Sequence, residues 1–172
     1  MHRVAFTTCA LALMLGSSSG NAQQSSAQIA AAYDVMRVAR YCTLITTGSD
    51  GEPQARIVDP LIAESEGAIW IATNPLTRKV DEIKRDPRVT LMFFNAAANE
   101  YVTVHARAVV VTDVKRKAAH WKPEWQPFYK ERTTGSDFML LEVKPFRLEV
   151  SSPRHKLNND PKTWRPVILE LR

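Results

Sequence analysis

"IWIATNPLTRKVDEIKRDPRVTLMFF", residues 69–94, holds the transitions on which the fold turns. A strand-like run, Ile69 to Thr73, stops at Asn74-Pro75. A helical pattern then runs from about Leu76 to Asp86, with Leu76, Val80 and Ile83 on one face. "RVTLMFFNA" resumes a strand. One short helix is therefore inserted between two strands. Its first turn carries Arg78 and Lys79 at the positive end of the macrodipole, where each exposed cation costs about 0.3–1 kcal/mol.

Upstream, "SAQIAAAYDVMRVAR" reads as a helix with Ser26 as its cap and Ile29, Tyr33, Met36 and Val38 as its apolar stripe. "YCTLITTG" is β-branched and ends at a turn signal, Ser49-Asp50-Gly51. "PQARIVDPLIAES" follows as a second strand interrupted by Pro60, and Glu66-Gly67 turns the chain into "AIWIATN", making a meander.

Downstream, "YVTVHARAVVVTD" is a long half-buried strand: Val102, Val104, Ala106 and Ala108 alternate with Tyr101, Thr103, His105 and Arg107. Val109 and Val111 fall on its outward side, which predicts a partner surface there. Residues 113–121 look helical, and "WKPEWQPFYKERTTGSD" is a loop rich in Pro and aromatics. In "FMLLEVKPFRLEV" the apolar phase switches at Lys144-Pro145, which suggests a bulge or corner. At least six sequential antiparallel strands with a corner favour a small closed or split β-barrel of the mainly β class.

The first residues have another character. A basic start at Arg3, an apolar run from Val4 to Leu15, and Gly20 and Ala22 before a cut at Gln23 form the pattern of a signal peptide, residues 1–22. Export to the periplasm or out of the cell is the expectation, with no stable membrane insertion. Of 172 residues, removing 22 leaves 150, one domain of ordinary size. The expected division is a polar lead-in at 23–27, a barrel domain at 28–152 and a tail at 153–172. The net charge falls from +5 to +4 on losing Arg3, which suits an anionic ligand; no nucleic-acid partner is expected.

Several chemistries lack support. The glycines lie at 16, 20, 48, 51, 67 and 135, so neither G-x-G-x-x-G nor a P-loop is present. His2, His105, His120 and His155 lack metal-ligand spacing, and no metal site is expected. His105 reads as a surface or interface residue. Cys42, the one cysteine outside the signal segment, reads as core. There is no G-x-S-x-G and no recognisable Cys-His signature.

What remains is the helix start. Its backbone N–H groups lack intrahelical acceptors, and Thr77, Arg78 and Lys79 add a hydroxyl and two cations. A bound phosphate would turn the dipole penalty into attraction, and Arg56 on the neighbouring strand could grip it with its planar fork. A solvated face, with Glu82 as the i+4 partner of Arg78, is the competing reading, and these residues alone leave both open.

The runs "GEPQARIVDP", residues 69–94, "YVTVHARAVVVTD" and "FMLLEVKPFRLEV", in this order and spacing, resemble the pyridoxamine 5′-phosphate oxidase-like flavin split barrels, closest to their general stress protein 26 branch. The resemblance covers about residues 28–152. It implies a six-stranded antiparallel split β-barrel, a homodimer and FMN. It also implies that Arg56, Thr77, Arg78 and Lys79 hold the FMN phosphate, while backbone around Ile57 and Val58 and the strand end at Thr73-Asn74 line the isoalloxazine. Trp164 and Arg165 resemble the tail residues by which the oxidases touch flavin across the dimer; a strand-capping tail is the alternative.

The departures are informative too. Asp59-Pro60-Leu61 replaces the end of the oxidases' Arg-x-Val-Leu-x-Lys strand, and Arg154-His155 does not reproduce their Arg-x-His motif. The expectation is therefore an FMN-dependent oxidoreductase of an unidentified small molecule, without an assignable catalytic residue, and not a true pyridoxamine 5′-phosphate oxidase. A chain exported unfolded must find its cofactor outside the cytoplasm, so a non-catalytic binding or stress protein holding a flavin, haem or a deazaflavin is the alternative. In "WKPEWQPFY", Trp121 reads as satellite core; Trp125, Phe128 and Tyr129 could join it or shelter a flat ligand.

Overall fold

The computed structural model describes residues 18–63 and 67–171. Of the expected signal segment, residues 1–17 lie outside the described residues. The first helix, α1 (Ser18–Ala39), begins well before Ser26, so Ser26 is interior rather than a cap and the expected lead-in is helical. Its buried face is Ala32, Tyr33, Val35 and Met36, with Ile29 partly buried; Val38, placed in the expected stripe, is exposed.

Among the described residues, eight strands form one antiparallel sheet: β1 (Cys42–Thr47), β2 (Pro53–Val58), β3 (Pro60–Ala63), β4 (Ala68–Thr73), β5 (Arg88–Asn95), β6 (Glu100–Val111), β7 (Met139–Ser151) and β8 (Val167–Glu170). The order is β2-β1-β5-β6-β7-β4-β3, with β8 added to β7. The edge strands β2 and β3 are consecutive in sequence, separated by Asp59 alone. One extended segment therefore serves both edges, and the sheet curls into a split barrel. The expected count of six rises to eight for two reasons. Pro60 cannot donate to a ladder, so the second strand breaks beside it. The tail also supplies β8, which pairs with residues 147–150.

The corner lies at the proline. Between His105 and Ala106 the β6–β7 register shifts: His105 faces Arg147, Ala106 faces Pro145, and Phe146 is the extra residue of a bulge. The β1–β2 turn closes through Gly51, whose positive φ of 83° a side chain would strain.

Two cores hold the barrel. The main one contains Leu44, Leu91, Phe93, Val102, Val104 and Leu148 and is closed by α1 and by Ile83 of α2 (Arg78–Arg85), whose Val80 is also buried. The second lies outside the sheet, where Trp70, Val111 and Leu140 pack under Trp125 and Phe138. This corrects the expectation for Val111, agrees with that for Trp121 and decides the open reading of Trp125. Val111 is buried by that cluster and not part of an uncovered face, although Val109 is exposed. Trp125 is the buried anchor of the aromatic loop, with Trp121 only partly buried beside it.

The rest of the outer face is uncovered. Register places Ile57, Thr43, Met92, Thr103, Glu149 and Ile168 in one row across β2, β1, β5, β6, β7 and β8. Ile57, Met92 and Ile168 are exposed there, and Phe94 lies exposed in the neighbouring row opposite Tyr101.

Candidate functional site

The inserted helix starts with a hydrogen-bonded hydroxyl chain. Thr77 occupies the cap position with extended backbone, but it does not cap: its Oγ1 donates to the Asn74 carbonyl at 2.8 Å. Thr73 Oγ1 lies 2.9 Å from Thr77 Oγ1 and 3.4 Å from the Asn74 carbonyl. The Lys79 ammonium donates to Thr73 Oγ1 at 2.9 Å. Thr77 therefore gives α2 no side-chain cap; Val80 N donates to the Thr77 carbonyl at 3.0 Å, and the N–H groups of Arg78 and Lys79 precede the first intrahelical acceptor.

Arg56 approaches from β2. Register sets Arg56 opposite Leu44, and so on the inward-facing side of its strand. Its guanidinium donates to Thr46 Oγ1 and, at 2.8 Å, to Glu82 Oε2; Thr46 in turn donates to the same carboxylate oxygen at 2.6 Å. Glu82 thus pairs with Arg56 and not with Arg78, which reaches Gln54 Oε1 at 3.3 Å. Both Glu82 and Arg78 line a groove with Asp50, Gln54, Asp81 and Arg85, but the Glu82 carboxylate is taken by Arg56 and Thr46, so the i+4 pair does not form.

These contacts leave an excess of positive charge. Arg56, Arg78 and Lys79 surround one carboxylate, for a local balance of +2. Burial pushes the Lys79 ammonium below its usual value, the Arg56 charge pushes it further down, and Glu82 opposes both. Burial works to raise the Glu82 carboxyl, but the Thr46 hydrogen bond and the Arg56 charge and hydrogen bond hold it below the ordinary range. Three cations around one carboxylate at a helix start fit a dianionic phosphate.

A cleft of about 310 Å³ opens beside this grip. Arg56, Ile57, Val58 and Lys79 line it, together with Tyr41, Asp59, Ala72, Trp125, Phe128 and Tyr129. Four of the residues singled out in the sequence thus share one cavity. Thr73, Asn74 and Thr77 form the hydroxyl chain behind Lys79, while Arg78 points into the neighbouring groove. Trp164 and Arg165 are exposed in a tail turn closed by Asp160 N to Arg165 O and Trp164 N to Asp160 O bonds.

Residues 30–152 match the description of pyridoxamine 5′-phosphate oxidase. The chain belongs to that family. Solved structures with the family's fold agree. A Clostridium acetobutylicum protein described as related to general stress protein 26 of the pyridoxinephosphate oxidase family has 14% identity and a TM-score of 0.70, over 86% of this chain and 96% of that one. General stress protein 26 from Bacillus anthracis has 15% identity and a TM-score of 0.65, over 87% and 99%. A protein described as an F420 reductase has 17% identity and a TM-score of 0.52, over 67% and 93%. No curated protein matches.

Within this family fold, sequence reasoning gave Thr46 and Tyr41 no role at the site and assigned Glu82 to Arg78. Glu82 and Thr46 orient Arg56, and their long sequence separation gave no local signal. Tyr41 follows α1 and reaches the cleft only because the barrel curls.

Proposed function

We propose that the protein is an exported, homodimeric FMN-binding oxidoreductase acting on a small molecule. The observation that carries the reading is the convergence of Arg56 and Lys79 in one cleft at the uncapped start of α2. Arg56 and Lys79, with the helix N–H groups, would hold the phosphate; Ile57 and Val58 would border the ring. FMN, when bound, supplies the electron-transfer chemistry. The residues of the chain bind, orient and screen: Glu82 and Thr46 fix the Arg56 fork, and Thr73 fixes the Lys79 ammonium.

The homodimer is supported by the apolar positions on the uncovered outer row, which a partner surface would remove from water. Export is supported by the pattern of residues 1–22.

Titration with FMN and with riboflavin tests the cofactor assignment. FMN should bind at least tenfold more tightly, since riboflavin lacks the phosphate. Equal affinities would remove the phosphate grip, and a haem or deazaflavin spectrum from natively isolated protein would replace the cofactor altogether. Reduction of the bound flavin by a nicotinamide or small organic donor, well above the rate of free FMN, is what an oxidoreductase requires; its absence across a donor panel points to a binding protein.

A further inference from the structure

The cleft has two unlike ends, and both are built on one short stretch of chain. Arg56 supplies the cationic end. Three residues later, Asp59 anchors the aromatic segment: its carbonyl accepts from Trp125 Nε1 at 3.0 Å, and its carboxylate pairs with Lys122, which also donates to the Pro60 carbonyl at 3.3 Å. At extended-strand rise the two positions are roughly 10 Å apart, enough for a short polyol between a phosphate and a ring.

The anchored segment is held firmly. Phe128 N and Tyr129 N both donate to the Trp125 carbonyl, at 3.0 and 3.2 Å. The Tyr129 ring packs edge-on against Phe138 at 5.1 Å between centroids. On this fixed frame Phe128 is 75% exposed while lining the same cleft as Lys79. A large apolar ring on an anchored backbone, lining one cleft with two cations, complements a ligand that carries both a flat aromatic part and an anionic group.

We propose that Phe128 and Tyr129 form a stacking wall, supplied within one chain, for the planar ring of the ligand whose phosphate Arg56 and Lys79 hold. The inference rests on the cofactor reading above and adds the seat of the ring to it. Asp59 acts as a positioning residue, since it reaches the ring only through Trp125 and Lys122. Its place in the sequence is the one at which this chain departs from the oxidases' strand pattern, so the aromatic wall is tied to that departure.

The test uses the full chain, with FMN and riboflavin as probes and two readouts: affinity, and the shape and intensity of the long-wavelength flavin absorption and emission. Phe128→Ala should weaken FMN and riboflavin by the same factor, roughly 3- to 12-fold, and alter the flavin band. Phe128→Trp should restore or exceed the original affinity and deepen emission quenching. Lys79→Ala should weaken FMN and leave riboflavin unchanged. If FMN binds with phosphate-dependent affinity but neither Phe128 variant shifts affinity or spectrum, the wall is wrong and the cofactor reading stands. If neither flavin binds the unmodified protein, both fall.

Discussion

Arg56 Nη2 and Glu82 Oε2 lie 2.8 Å apart, so the arginine that faces the cleft is already committed to a carboxylate on α2. Thr46 completes the arrangement by bonding both. Glu82→Gln retains an acceptor oxygen for these donors while removing a negative charge from beside the anion site. Stability should fall by about 0.5–1.5 kcal/mol, and FMN affinity should rise. Glu82→Ala leaves Arg56 unheld and should cost roughly 1–3 kcal/mol of stability and weaken FMN. Urea melts and calorimetric FMN titrations of both variants separate charge from aim. Weaker FMN binding by the glutamine variant would show that the ion pair itself is needed.

Lys79 is a liability to the fold and an asset to the site. Its folded pKa is depressed below the usual value of 10.5, through burial first and Arg56 second. A lysine shifted in this direction destabilises the fold while protonated, and stability recovers as pH rises through the folded value toward the unfolded one. Lys79→Ala should therefore leave apo stability unchanged or slightly higher, the lost Thr73 hydrogen bond offsetting part of the relief. With FMN present it should lose roughly 1.5–3 kcal/mol of ligand stabilisation. Thermal melts with and without FMN read both effects, and a destabilised apo-protein with full FMN affinity would dismiss the phosphate site.

Acid stability should depend on Glu100. This fully buried residue opens β6 and accepts from Ser152, Asn95 and Arg154. Burial works to raise its pKa, but those hydrogen bonds and the Arg154 charge hold it at about 2. A depressed carboxyl contributes stability above its unfolded value, ordinarily near 4.5, and loses it as pH falls toward 2. Glu100→Gln should cost about 1–3 kcal/mol at neutral pH, and the gap to the unmodified protein should close between pH 4.5 and 2. Parallel stability curves across that range would contradict the assignment.

Met92→Asp places a charge in the middle of the uncovered outer row. The variant should remain folded by circular dichroism and sediment as a monomer, whereas the unmodified chain should sediment as a dimer. Monomeric behaviour of the unmodified protein at micromolar concentration would end the homodimer proposal.

Amino-terminal sequencing of protein from the cell envelope should begin at or near Gln23. Recovery of the intact Met1 form there would count against export.

Much of the fold was legible because it is local chemistry. Alternation in residues 101–108 marks a half-buried strand, Ser49-Asp50-Gly51 marks a turn, and Pro145 marks the bulge that Phe146 fills. The inserted helix is readable from Val80 and Ile83, although Leu76, expected on the same face, precedes the helix and is exposed, and the misplacement of Arg78 and Lys79 is readable from the dipole alone. The start of α1 was not readable, since the polar residues before Ser26 continue the helix without a stop. Nor was the burial of Val111, because the covering aromatics Trp125 and Phe138 follow in later loops.

The sequence by itself determined the strand pattern, the helix inserted after Thr73 and the presence of cations where a helix disfavours them. Tertiary structure decided which cations share a cavity. Arg56 and Lys79 meet because the barrel edge folds against α2, while Arg78, one residue from Lys79, turns to Gln54. It also decided that Glu82 belongs to Arg56 and that Asp59 ties the aromatic segment to the site. Periodicity fixes the face on which a side chain emerges. Only closure of the sheet, which joins residues 26 to 66 positions apart, fixes what that side chain meets.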